Sequence, residues 1–144
     1  MRAFYDTSVL VASLVAAHPH HAAAMEAARG VLSGKHEGLV CAHGLAETYA
    51  VLTTLPIRPR ISPDAARRLV VENILGRFET VALTAREYER LLEGLADEGI
   101  SGGATYDAIQ CACARKARAT RVYTFNVAHF RRVAPDLASR VVAP

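Results

Sequence analysis

The run Gly102–Phe130, GGATYDAIQCACARKARATRVYTFNVAHF, decides how the rest of the chain is read. It opens as a glycine-bearing loop, enters a helix, passes into a short strand and ends in a polar loop. Thr105 is placed to cap the helix, so that Asp107 falls in the first turn, where a carboxylate suits the positive end of the helix dipole. The helix body (Ala108, Ile109, Cys111, Ala112, Cys113, Ala114) is small and apolar enough to lie close against a sheet. Arg121–Thr124 supplies the strand, and Asn126 falls just past its C-terminal end. Parallel α/β sheets bind ligands beyond that end of their strands. Asp107 and Asn126 are therefore expected at one rim.

Working outward, Ala3–Tyr5 is a short apolar strand that stops at Asp6. Thr7 or Ser8 can cap a helix from Val9 to about Ala17, which His18-Pro19 ends, and His20–Leu32 reads as a second helix. Gly38–Cys41 is a strand, and His43–Leu55 a helix with Leu45, Tyr49 and Leu52 at helical spacing and Glu47 within its first turn or two. Ser62 followed by Pro63 is a strong helix start, and that helix should run to about Leu75. Phe78–Leu83 contains a third strand, and Thr84 with Glu87 makes a capping box for a helix over Ala85–Ala96. A helical turn at His129–Arg132 and a strand at Val141–Val142 close the chain. Strands alternating with helices argue for an α/β protein, a parallel sheet with helices on both faces, in one domain spanning residues 1–144.

Composition narrows the function classes. With 144 residues and 51% hydrophobic content, the chain can build a real core. No apolar run approaches the ~20 residues that cross a bilayer, and Asp6 interrupts any signal-peptide core, so a cytoplasmic protein with no membrane association is expected. Cys41 stands apart from Cys111 and Cys113, which diverge on one helix, so buried thiols fit better than a zinc site or a disulfide. The net charge of +3 tilts the chain toward anionic partners such as nucleic acid.

Right-handed crossovers bring all strand-to-helix loops to one edge of the sheet. Asp6, Glu47, Asp107 and Asn126 then converge there from distant parts of the chain. Clustered carboxylates repel unless a cation neutralises them. An all-oxygen set without histidine or cysteine favours a hard divalent ion, Mg²⁺ or Mn²⁺, which binds phosphates and can activate water. The basic balance points to a phosphodiester rather than a small acid.

These residues in this order resemble a PIN domain, and more narrowly the VapC-type toxins of prokaryotic toxin–antitoxin pairs. The likeness rests on Asp6-Thr7-Ser8 after a first strand, Glu47 on a helix, Gly102-Gly103 leading to Tyr106-Asp107-Ala108, and Thr124-Phe125-Asn126 before His129-Phe130. The resemblance implies a three-layer α/β/α fold with a parallel sheet of four to five strands. It also implies a Mg²⁺- or Mn²⁺-dependent endoribonuclease acting on RNA, a homodimer, and a cognate antitoxin that covers the site. By position, Asp6, Glu47 and Asp107 match the family's acidic core as metal ligands and water positioners, with Asp6 and Asp107 the principal ligands. Ser8 matches a supporting hydroxyl, and Tyr106 and Thr124 shell positions. Asn126 stands where many members carry a fourth Asp, which leaves a second metal position short of charge.

Each residue also has a plain structural account. Asp6 can end a strand, Asp107 can be a first-turn charge, Glu47 a solvated helix residue and Asn126 a turn residue; only the joint arrangement favours a site. His18, His20 and His21 read as an exposed connector, and His129 as packing under the last loop. Arg115, Lys116, Arg118 and Arg121 read as a solvated face rather than an RNA track. Tyr49, Leu52 and Leu55, with Val70, Val71 and Ile74, offer more apolar surface than one sheet face needs, so part of it is expected in a dimer interface or an antitoxin groove. A haloacid-dehalogenase-like phosphatase would need a second Asp where Ser8 stands. The competing function is a catalytically decayed PIN-like module that binds RNA or a protein partner.

Overall fold

The computed structural model describes residues 1–144. Five strands, β1 (Arg2–Tyr5), β2 (Glu37–Cys41), β3 (Glu79–Val81), β4 (Arg121–Tyr123) and β5 (Val141–Val142), form one sheet in the order β3-β2-β1-β4-β5. Every pairing is parallel. From β1 the chain builds outward through β2 and β3, then returns to the other side of β1 for β4 and β5. The direction of winding therefore reverses between β1 and β4, which makes their C-terminal ends the switch point of the sheet, the place where open α/β sheets bind ligands.

The alternation of side chains along β1 shows how both faces are used. Ala3 and Tyr5 point into one core, with Val9, Val40, Leu52, Ile74 and Phe78. Phe4 points into the other, with Leu39, Ile109, Cys113, Val122 and Phe130. Helices α1 (Thr7–Leu14), α2 (His21–Leu32), α3 (Ala42–Thr54) and α4 (Pro63–Val70) cover the first face. Helices α5 (Ala85–Asp97), α6 (Ala104–Lys116) and α7 (Val127–Val133) cover the second. The result is the expected three-layer α/β/α arrangement, with a sheet at the upper end of the expected strand count.

Where local chemistry is strong, element boundaries follow it. Ser62 accepts a hydrogen bond from the Ala65 amide with Pro63 at the first helical position, and Thr84 and Glu87 form a complete reciprocal capping box. Three expectations need correction. The residue that caps α1 is Asp6, not Thr7 or Ser8, because the chain turns helical directly off β1. Helix α6 begins two residues earlier than a cap at Thr105 would allow: Gly103 precedes it and Gly102, at φ 65°, makes the entry turn. The helix that starts at Pro63 widens after Val70 into a π-helical turn over Val71–Leu75. Of the apolar surplus, Leu52, Val70 and Ile74 are buried within the chain, while Tyr49 and Val71 remain exposed.

Candidate active site

Asp6 is the buried centre of the site, only 4% exposed. Its Oδ2 accepts hydrogen bonds from Ser8 Oγ at 2.7 Å and Thr124 Oγ1 at 2.8 Å. Each hydroxyl is itself held by a main-chain donor from the loop after β4: the Phe125 amide bonds Ser8 Oγ at 3.1 Å, and the Asn126 amide bonds Thr124 Oγ1 at 2.9 Å. Two side chains and two amides thus fix one carboxylate, and they do so across β1 and β4 at the switch point. Burial raises the Asp6 carboxyl above its ordinary value, and these hydroxyls with the Thr7 and Ser8 amides pull it partly back.

Glu47 is clamped as firmly, from the second turn of α3. Its Oε2 accepts from Thr7 Oγ1 at 2.9 Å and its Oε1 from His43 Nε2 at 2.7 Å. Behind Thr7, the buried Gln110 of α6 donates from Nε2 to Thr7 Oγ1 at 2.9 Å. This contact exists because α3 carries Gly44 where it passes: a Cβ there would lie 3.0 Å from Gln110 Nε2 and 3.3 Å from Thr7 Oγ1. His43 in turn stacks on Tyr106, with ring centroids 5.1 Å apart and planes within 7°.

Asp107, in the first turn of α6, is half-buried. Burial raises its carboxyl, the Asp6 charge raises it further, and Glu47 adds a smaller push the same way. His129 and Arg132, both on α7, oppose that shift. His129 is therefore not packed beneath the last loop, as its sequence position suggests. Its side chain is 69% exposed, with Nδ1 3.9 Å from Asp107 Oδ2. Asn126 precedes α7 and reaches the site through its main-chain amide, while its side chain lies in an exposed position.

The fold thus brings Asp6, Ser8, Glu47 and Asp107 together, with Asn126 at the edge. The sequence did not reveal that Thr7, His43 and Gln110 position Glu47. Only Gln110 carries a visible signal, a polar residue amid the buried Ile109, Cys111 and Cys113. The first half of the basic run is tied down: Arg115 makes a bidentate pair with Asp136, and Lys116 bonds Glu87. Cys41 is not solitary, for the fold sets its Sγ 3.2 Å from that of Cys113 in the core.

Asp6 and Glu47 add to the rise that burial imposes on the Asp107 carboxyl, and a hard divalent cation suits an oxygen-only donor set. No three carboxylate, imidazole or thiol groups stand close enough to form a closed protein cage. One or two carboxylates with water and substrate phosphates are the usual surroundings of Mg²⁺, so the residues present fit such an ion. No helix is long and apolar enough to cross a membrane.

Known proteins resemble this chain in sequence and in fold. The PIN domain family model matches residues 3–135. Ribonuclease VapC27 of Mycobacterium tuberculosis is 41% identical over 115 residues, 79% of this chain and 77% of that protein. Ribonuclease VapC40 of the same organism is 40% identical over 104 residues, 72% of each. The crystal structure of M. tuberculosis VapC20, described as a sarcin-ricin loop cleaving toxin, superposes with a TM-score of 0.66 over 86% of this chain and 89% of that one, at 23% identity. VapBC2 from Rickettsia felis, bound to a promoter DNA fragment, gives 0.62 over 92% and 93% at 18% identity. Those two likenesses establish the fold, while the family model and the closer relatives establish kinship: the chain belongs to the PIN-domain family, among the VapC ribonucleases.

Proposed function

We propose that this protein is an endoribonuclease toxin of a toxin–antitoxin pair, and that Asp6, Glu47 and Asp107 form its Mg²⁺- or Mn²⁺-dependent hydrolytic centre. The observation that carries the assignment is the convergence of three carboxylates from β1, α3 and α6 at the switch point of the sheet, each half-buried or more and two of them tightly clamped. Asp6 and Asp107 are the residues that would hold the cation. When bound, it supplies charge neutralisation at the scissile phosphate and acidifies the attacking water.

The protein's own contribution is orientation. Ser8 and Thr124 keep Asp6 Oδ2 fixed, so the site need not reorganise when the substrate arrives. Glu47, held from both sides by Thr7 and His43, is placed to orient a water and accept its proton. Arg132 on α7 provides positive potential beside Asp107, with the His129 ring next to it, where an RNA phosphate would enter. Asn126 offers an uncharged polar side chain at the edge and orients water without adding negative charge.

The direct experiment incubates the purified protein with a panel of RNAs, with Mg²⁺ or Mn²⁺ and with chelator. Cleavage that needs the divalent ion and falls to background in Asp6→Asn and Asp107→Asn, both folded by circular dichroism, is the expected result. Full cleavage by either variant, with contaminating nuclease excluded, overturns the residue assignment.

The exposed Tyr49 and Val71, with Leu75, leave an apolar strip on α3 and the π-helical turn. A second copy of the chain is proposed to cover it, with the antitoxin contacting the assembled pair. Light scattering of the protein alone should give twice the chain mass, and Tyr49→Ser with Val71→Ser should shift it toward the monomer. A monomeric mass at high protein concentration contradicts the dimer.

A further inference from the structure

Of the aromatic rings around the carboxylates only His43 bonds one of them, Glu47, and the arrangement of the rings follows a pattern. Tyr106 immediately precedes Asp107 and is 52% exposed, a large aromatic left in solvent at the edge of the site. One face of its ring is covered by His43, nearly parallel at 5.1 Å between centroids. His43 cannot turn away freely, because its Nε2 is bonded to Glu47, which Thr7 and Gln110 hold from behind. The exposed ring therefore rests on a support anchored in the core.

A second stack stands on the other side. His20 lies over Phe125 with centroids 4.6 Å apart and planes within 24°, and the Phe125 amide bonds the hydroxyl that holds Asp6. His43 follows β2 and Phe125 follows β4, while Asp6 follows β1, which lies between those two strands. The acidic centre is thus bracketed by two aromatic stacks, roughly two strand spacings or ~10 Å apart along the sheet edge.

We propose that the Tyr106 ring, backed by His43, is a stacking platform for an unpaired nucleobase of the RNA beside the scissile phosphate. The proposal rests on the endoribonuclease assignment above and adds to it a residue that touches the substrate: Tyr106, which takes the face of one base beside the site. Every base has a π-face, so a bare aromatic ring next to a phosphate-binding centre accepts RNA without reading hydrogen bonds. In a duplex those faces are already stacked on neighbours, and a paired base cannot turn onto the ring. A rigid ring loses little entropy on contact, and its support by His43 keeps the exposed face turned outward.

The test uses short unstructured oligoribonucleotides carrying 2-aminopurine at successive positions, bound to an Asp6→Asn protein that does not cleave them. Tyr106→Leu and Tyr106→Trp are compared with Tyr106 in that background, and the Tyr106-bearing wild type is assayed for cleavage alongside. Fluorescence should quench at one position with Tyr or Trp and not with Leu, and the Leu protein should bind about five- to a hundredfold more weakly. An abasic nucleotide at that position should cost the Tyr protein the same loss and cost the Leu protein nothing further. If the Leu protein binds and quenches as the Tyr protein does while the wild type cleaves, the platform is wrong and the nuclease assignment stands; the exposed ring then serves another partner, such as a protein. If wild type neither binds nor cleaves any RNA, both fall.

Discussion

Asp6 and Asn126 follow adjacent strands, β1 and β4, yet the protein treats them in opposite ways. Asp6 is sealed in, its carboxylate gripped by two hydroxyls whose own positions are fixed by main-chain amides. Asn126 lends only its amide to that grip, and its side chain stands at the exposed edge, followed by the exposed His129. Under the proposed function the difference separates two tasks. A ligand that must keep its charge beside other charges needs a rigid, hydrogen-bonded seat, because reorganisation would be slow and costly. The side where a flexible polyanion arrives is better left open, with cationic and neutral polar groups on a short helix.

The largest effect that sharpens this contrast is at the sealed side: Asp6→Asn and Asp107→Asn should lose metal-dependent cleavage altogether, whereas His129→Ala should not. Next comes the seat itself. Thr124→Val removes a charge-assisted hydrogen bond from Asp6 and leaves the Asn126 amide without its acceptor. It should slow cleavage about tenfold, on the order of 1.5 kcal/mol, at saturating metal. An unchanged rate would mean that the grip on Asp6 has no catalytic weight. On the open side, His129→Ala removes an exposed partner 3.9 Å from Asp107 and should change the rate less than about threefold. A larger loss there would erase the distinction between the two sides.

Stability gives a smaller effect with a definite sign. Burial, then Asp6, raises the folded-state Asp107 carboxyl above its ordinary value of 3.8. In the metal-free protein its ionisation is therefore a cost. That cost is absent where both states are protonated, grows as pH rises from 3.8, and is complete above the raised folded-state value. Asp107→Asn should accordingly have a higher Tm than wild type at neutral pH without metal, with the gap closing on acidification toward 3.8. Mn²⁺ should raise the Tm of wild type more than that of the variant. A metal-free variant no more stable than wild type at neutral pH contradicts this picture of crowded charge.

The same contrast explains what could be read from the chain in advance. Asp6, Glu47 and Asp107 were legible because each is a polar residue at the end of a strand or near the start of a helix, and local chemistry sets those boundaries. Thr84 and Glu87 were legible for the same reason, since a capping box is complete within four residues of chain. The seat was not. Gln110 and Thr7 are 103 positions apart and meet only because α6 crosses behind α3 at Gly44. His43 carries no periodic signal, and its partners Glu47 and Tyr106 lie on different helices. The π-helical turn at Val71–Leu75, with Ile74 buried in it, has no sequence mark at all. Long-range contacts decide the positions of such residues, and propensity decides only their local conformation.

The open side offers the most direct measurement of the central claim, which is that the sealed carboxylates of the natural sequence support metal-dependent RNA cleavage without a fourth acid. Cleavage rate is followed through a Mn²⁺ titration for wild type, Asn126→Asp and Asn126→Ala, on an RNA the wild type cuts in the presence of the ion. The account predicts that wild type reaches full activity at sufficient Mn²⁺, that Asn126→Asp reaches its plateau at lower Mn²⁺, and that Asn126→Ala loses less than Asp6→Asn. If wild type stays inactive at saturating Mn²⁺ on every RNA tried while Asn126→Asp switches cleavage on, the natural protein is a binding module with a dormant site, and the account is wrong.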